Sequence, residues 1–180
     1  MNTIRFSEEA EEQQERYNSR AESDNPWTII VADDEGDVHM ITKLVLENFR
    51  FDNRPVEILS SYSGEDALKT LEKHPNTAVV LLDVVMESYT AGLDVVNQIR
   101  NHFHNQEIRI LLRSGQAGYA NVSQIIQEFE INDFIRKENL RYQDLKDAVT
   151  LALRAFRDIK QAQYKTEGEN RHNDEQGCGD

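Results

Sequence analysis

Between Trp27 and Ile159 the chain alternates five short apolar runs with segments in which apolar residues recur at helical spacing. The runs are Thr28–Ala32, Val56–Ser60, Ala78–Leu82, Ile108–Leu112 and Asp133–Arg136. The helical segments carry Val38, Ile41, Val45 and Phe49; then Ala67, Leu68 and Leu71; then Leu93, Val96, Ile99 and Phe103. The fourth carries Val122, Ile125, Ile126 and Phe129, and the fifth carries Leu145, Val149, Ala152, Phe156 and Ile159. The first and third runs are unbroken apolar stretches, as strands covered on both faces must be. Strand and helix in strict alternation predict a parallel sheet with right-handed crossovers. Ser63-Gly-Glu-Asp66 reads as a capping box opening the second helix, which His74-Pro75 stops.

The expected fold class is therefore α/β: a flavodoxin-like five-stranded parallel sheet in order 2-1-3-4-5, with helices on both faces in a three-layer αβα arrangement. Residues 26–162 are expected to form this domain. Residues 1–25 hold Glu8, Glu9, Glu11, Glu12 and Glu15 with few apolar partners and read as a disordered or frayed acidic arm, and 163–180 as a disordered polar tail.

Composition narrows the function classes. Against 20 Lys and Arg stand 33 Asp and Glu, a formal charge of −13, which opposes binding to nucleic acid or anionic lipid. No stretch reaches the length of a membrane span and the N-terminus has no apolar signal core, so the expected localisation is cytoplasmic. Cys178 is the sole cysteine, which excludes an intrachain disulfide.

In an open α/β sheet the site lies beyond the carboxyl ends of the strands, where the strand order reverses. The first strand delivers Asp33 and Asp34 there, the third Asp83, the fourth Ser114 and the fifth Lys137. Clustered carboxylates repel one another unless a cation compensates them. A hard divalent ion such as Mg²⁺ suits a few carboxylates together with waters and a phosphoryl oxygen. A carboxylate so placed can attack phosphorus, while Lys137 and the metal neutralise phosphoryl charge and Ser114 donates a hydrogen bond. Taken singly, a strand-end Asp is a turn or helix cap, with Asp34 a candidate cap, and a lone Ser or Lys is surface decoration. Their joint placement is what points to chemistry. The histidines are scattered and predict no metal site. Trp27 reads as an anchor for the first strand, and Arg109 and Arg113 as one face of the fourth strand near its solvent edge.

Four segments carry a family resemblance: Ile29-Ile-Val-Ala-Asp-Asp34, Val79-Val-Leu-Leu-Asp-Val-Val-Met86, Ile110-Leu-Leu-Arg-Ser-Gly115 and Asn132-Asp-Phe-Ile-Arg-Lys137. Over residues 27–160 the chain resembles the CheY-like receiver domains of two-component response regulators. The resemblance implies Asp83 as phosphoacceptor, Asp33 and Asp34 as the acidic pair serving Mg²⁺, and the backbone carbonyl of Val85 as a further metal ligand. It implies Ser114 and Phe134 as the switch pair and Lys137 as the partner of the phosphoryl group. The implied partner is a histidine kinase or phosphotransfer protein, with a homodimer through the last two helices as a route for output. The implied role is a signalling switch rather than an enzyme. Leu81-Leu-Asp-Val-Val-Met-Glu87 with Ala91-Gly92-Leu93 is similar to receivers that precede HD-type cyclic-di-GMP phosphodiesterases, so the chain is expected to be a stand-alone receiver or a fragment of such a regulator. Two departures touch loops rather than reacting groups: Met86-Glu87 stands for the usual Met-Pro and Lys137-Glu138 for the usual Lys-Pro. Two rival readings are a haloacid-dehalogenase-like phosphatase, disfavoured by Val85 where a second Asp would stand, and a pseudo-receiver binding module that never takes phosphate.

Overall fold

The computed structural model describes residues 25–115, 131–137 and 141–176. Six strands form one sheet: β1 (Trp27–Ala32), β2 (Arg50–Phe51), β3 (Arg54–Ser61), β4 (Val79–Asp83), β5 (Arg109–Ser114) and β6 (Asp133–Arg136), in the order β2-β3-β1-β4-β5-β6. All neighbours run parallel except β2 with β3. The five expected strands thus keep the expected order, and the sixth is an addition at the edge. It arises because Asp52 and Asn53 both take positive φ, 49° and 62°, the conformation of a tight two-residue hairpin turn that Asp and Asn tolerate. The hairpin is fastened to the body: Trp27 Nε1 donates to Phe51 O at 3.0 Å, and the Arg54 guanidinium lies 3.7 Å over the Trp27 ring. Trp27 therefore anchors both the start of β1 and the covering hairpin.

Four helices are described: α1 (Gly36–Leu46), α2 (Gly64–Lys73), α3 (Ala91–Asn97) and α4 (Tyr142–Gln176). A π-helical turn over Gln98–His102 prolongs α3. The helix expected around Val122 to Phe129, the Lys137–Glu138 junction and the predicted start of the last helix near Asn139 involve residues outside those described. Ser63 caps α2 as expected, its side chain accepting from Asp66 N at 3.1 Å, while the Asp66 carboxylate returns to Tyr62 N rather than to Ser63 N. The last helix runs to Gln176, past the boundary expected at residue 162 and into the segment expected to be a disordered tail. Its body is tethered by Arg157, whose Nη1 sits 2.7 Å from Asp52 Oδ2 on the hairpin.

Side-chain alternation along each strand divides the core into two layers. Ile30, Ala32, Val80, Leu82, Ile110 and Leu112 pack with Ala67 and Leu71 of α2 and Leu93, Val95 and Val96 of α3. Ile29, Val31, Val79, Leu81, Leu111 and Ile135 pack with Val45 and Leu46 of α1 and Leu145, Val149, Leu153 and Phe156 of α4. Each fully buried Leu or Ile contributes about 1.5–3 kcal/mol by burial, so this two-sided core holds the strand ends rigidly. That rigidity fixes the rim where the polar side chains gather.

Candidate functional site

The alternation that builds the core also sorts the polar residues at the carboxyl rim. Asp33 extends the row Ile29–Val31, Asp83 the row Val79–Leu81, and Lys137 follows Ile135, all on the face covered by α1 and α4. Their side chains meet there. Lys137 Nζ lies 2.8 Å from Asp83 Oδ2 and 2.9 Å from Asp33 Oδ2, with Glu35 Oε1 at 3.5 Å. Asp33, Asp34, Glu35 and Asp83 each offer a carboxylate oxygen, and these atoms lie within 4.8 Å of one another. Asp33 and Asp83 are buried, whereas Asp34 and Glu35 face solvent. The structure therefore brings together Asp33, Asp34, Asp83 and Lys137. Asp34 does not cap α1: the residue at that position is Glu35, and it makes no side-chain capping bond.

Several contacts hold the carboxyl groups in place. Asp33 N donates to Ser61 O at 3.1 Å, and Asp33 Oδ1 accepts from Glu35 N at 3.1 Å. The loop after β4 folds back, with Val84 N donating to Arg113 O and Gly92 N to Val84 O, each at 3.0 Å. The Val85 N–H donates to the Asp83 carboxylate. Burial pushes the Asp83 carboxyl above its ordinary value, more than the Lys137 ammonium offsets, and the Asp33 charge adds to the rise. Burial works against the Lys137 ammonium, yet its bonds to Asp83 and Asp33 outweigh it and hold that group above its usual range.

Asp33 Oδ2 is buried and, among the described residues, has no donor besides the Lys137 ammonium. A buried acceptor in that state beside three further carboxylates fits a hard cation with oxygen preference.

Ser114 and Phe134 occupy the other face. Both continue the row of Ile110 and Leu112, and Phe134 is half-buried against that core layer while Ser114 is buried. Gly115 is under no steric demand, since a Cβ there would meet only Lys137 Cδ at 3.8 Å. The sequence reading missed three groups. Glu35 joins the carboxylate cluster. His39 is buried beneath it, with Nε2 2.7 Å from Asp33 O and its ring against Tyr62. Arg113, expected near solvent, is buried, its Nη1 donating to Thr42 Oγ1 on α1 at 3.1 Å. The signal for Arg113 was present: it sits in register with Asp83, so it must lie beside the carboxylates and under α1.

A raised Asp83 value has a stability consequence. Ionising this carboxyl costs more in the folded chain than in the unfolded one, so stability is lost as pH rises from the ordinary value of 3.8 through the elevated folded value. Asp83→Asn is expected to raise the melting temperature at pH 7 in Mg²⁺-free buffer and to leave it unchanged below about pH 3. Thermal unfolding at the two pH values checks this, and an equal shift at both would refute it.

The model of the response regulator receiver domain matches residues 29–150. The chain belongs to the response regulator receiver domain family. Its receiver is 42% identical over 137 residues to the 3′3′-cGAMP-specific phosphodiesterase 2 of Vibrio cholerae, covering 76% of this chain and 26% of that protein. The receiver thus spans about a quarter of that relative's length. Solved receivers share its fold. The response regulator receiver domain protein of Clostridium thermocellum superposes with a TM-score of 0.62 at 22% identity, covering 73% of this chain and 98% of the other. The receiver domain of an HD domain-containing protein of Pseudomonas fluorescens Pf-5 gives 0.64 at 18% identity, covering 76% and 92%. No described helix of the receiver is long and apolar enough to cross a membrane.

Proposed function

We propose that the receiver accepts a phosphoryl group on Asp83 from a histidine kinase or phosphotransfer protein and thereby switches a protein-interaction surface. The observation that carries this reading is the single ammonium of Lys137 held 2.8 Å from Asp83 and 2.9 Å from Asp33 at the strand rim. Asp33, Asp34 and Asp83, with the carbonyl of Val85, would hold Mg²⁺. When bound, Mg²⁺ supplies positive charge to the phosphoryl oxygens. An Asp83 carboxylate oxygen attacks phosphorus, and the donor's bond to phosphorus breaks with its electron pair leaving on the donor. Lys137 stabilises the charge on the transferred group, and the Ser114 hydroxyl turns to donate to one of its oxygens. Phe134 then follows Ser114 on the same face of the sheet, which makes the pair a two-state element biased by one local charge change.

Exposed apolar side chains offer surfaces for partners. Met40 and Leu44 are 63% and 65% exposed on α1, the helix that follows the acidic residues, and offer a surface on which a phosphodonor protein would dock. Tyr142 and Leu151 on α4 are similarly exposed, and α4 is one of the two helices through which a homodimer would form. The setting is cytoplasmic in this reading, because kinase and phosphodonor are. A second reading, favoured by the 42% identity to a phosphodiesterase, makes this receiver the regulatory part of a longer enzyme acting on a cyclic dinucleotide.

Incubation of the 180-residue chain with acetyl phosphate separates the alternatives. The receiver forms one hydroxylamine-sensitive acyl phosphate per chain, only with Mg²⁺ present. Steady release of phosphate at enzymatic rates would indicate a phosphatase, and the absence of any adduct a pseudo-receiver.

A further inference from the structure

The buried guanidinium of Arg113 has a use beyond packing. Arg113 pairs in register with Asp83 across β4 and β5, so the two side chains leave the sheet on the same face. It is only 5% exposed, and among the described residues its side chain makes one hydrogen bond, to Thr42 Oγ1, which fixes it under α1 rather than in solvent. The Thr42 hydroxyl donates in turn to Val38 O at 2.7 Å, which leaves its lone pair for the arginine. A buried cation without an electrostatic partner would be costly. Its partners are the carboxylates of Asp33, Asp83 and Glu35, whose charges counter the effect of burial on it. Among the described residues the rim thus sets four carboxylates against two cations, Lys137 and Arg113.

We propose that Arg113 is the permanent counter-ion of the acidic pocket: it weakens the pocket's hold on free Mg²⁺ and strengthens its hold on an anionic phosphoryl group, so that cation and phosphoryl group bind together. Lys137 ends a flexible four-carbon stem at the rim, so its ammonium can follow the phosphoryl oxygens. Arg113 is locked between β5 and α1 and acts on both ligands through its field alone. It is a counter-ion, not a catalytic residue. This inference rests on the Mg²⁺ site of the preceding section.

The signature is a pair of opposite shifts. Removing one positive charge from the edge of the pocket should tighten Mg²⁺ binding on the order of tenfold and weaken binding of an anionic phosphoryl mimic by a similar factor. Calorimetric titration of the full chain with Mg²⁺, then with beryllium fluoride at saturating Mg²⁺, reads both. Arg113→Met should show the two shifts, and Arg113→Lys should stay within about twofold of the wild type on each. Shifts of Arg113→Met in the same direction, or Arg113→Lys behaving like Arg113→Met, would overturn the proposal. Arg113→Gln replaces the methionine variant if that one does not fold. Failure of both uncharged variants to fold even in Mg²⁺ would show a packing role and equally overturn it. Wild-type protein that binds no Mg²⁺ would instead defeat the underlying metal site.

Discussion

Asp83→Asn is expected to lower phosphoryl labelling by acetyl phosphate about a thousandfold or more while leaving the fold intact. The amide matches the carboxylate in shape and retains an oxygen that Lys137 Nζ, now 2.8 Å from Oδ2, can reach. What it lacks is the nucleophilic oxygen pair, and no neighbour can substitute. Asp33 is fixed by its bonds to Glu35 N and Lys137, and Asp34 and Glu35 lie on the solvent side of the cluster. Because burial disfavours the ionised form of Asp83, the same substitution is expected to stabilise the metal-free protein at neutral pH. Loss of labelling together with a higher melting temperature is a combination that general damage to the fold cannot produce. Intact far-ultraviolet circular dichroism with wild-type labelling would show the nucleophile to be another residue.

Gly92→Ala is expected to destabilise the domain by about 3 kcal/mol or more, the upper range for overpacking a rigid site. A Cβ at position 92 would clash with the Asp83 carbonyl oxygen and stand 2.8 Å from Val84 Cα and 2.9 Å from Asp83 C. These are backbone atoms of the strand end, so no side chain can swing aside. The turn must open, breaking the Gly92 N to Val84 O bond and shifting Asp83 itself. A displacement of about 1 Å at a reacting group costs on the order of a hundredfold in rate, so labelling should fall along with stability. Urea unfolding measures the first effect and the rate of adduct formation the second. A midpoint within error of the wild type would mean that the loop after β4 is looser than the structure has it.

These expectations show what the sequence carried and what it did not. The five strands were legible because each short run is followed by a helical period, and the first and third runs are apolar throughout, as central strands covered on both faces must be. The hairpin strand was not, since Arg50–Phe51 is too short for a periodic signal and reveals itself only through the paired left-handed residues Asp52 and Asn53. The convergence of Asp33, Asp34, Asp83 and Lys137 followed from the rule that sites lie at the carboxyl ends of strands. The burial of Arg113 ran against the usual expectation for arginine, and only its register with Asp83 exposes it. Gly92 was read as part of a motif, and its steric reason appears once the loop is folded against Asp83. The reach of α4 to Gln176 was hidden by the polar composition of its last turns, whose sequence carries no apolar stripe.

Phosphoryl transfer to Asp83 beside a cation held by its neighbours is the claim on which the functional account stands. Reductive trapping tests it most directly: borohydride converts an aspartyl phosphate to homoserine, and peptide mass spectrometry then locates the modified position. After treatment with acetyl phosphate, homoserine should appear at position 83 alone and only in samples containing Mg²⁺. Homoserine at another carboxylate, or the same yield at position 83 in the presence of a chelator, would contradict the account.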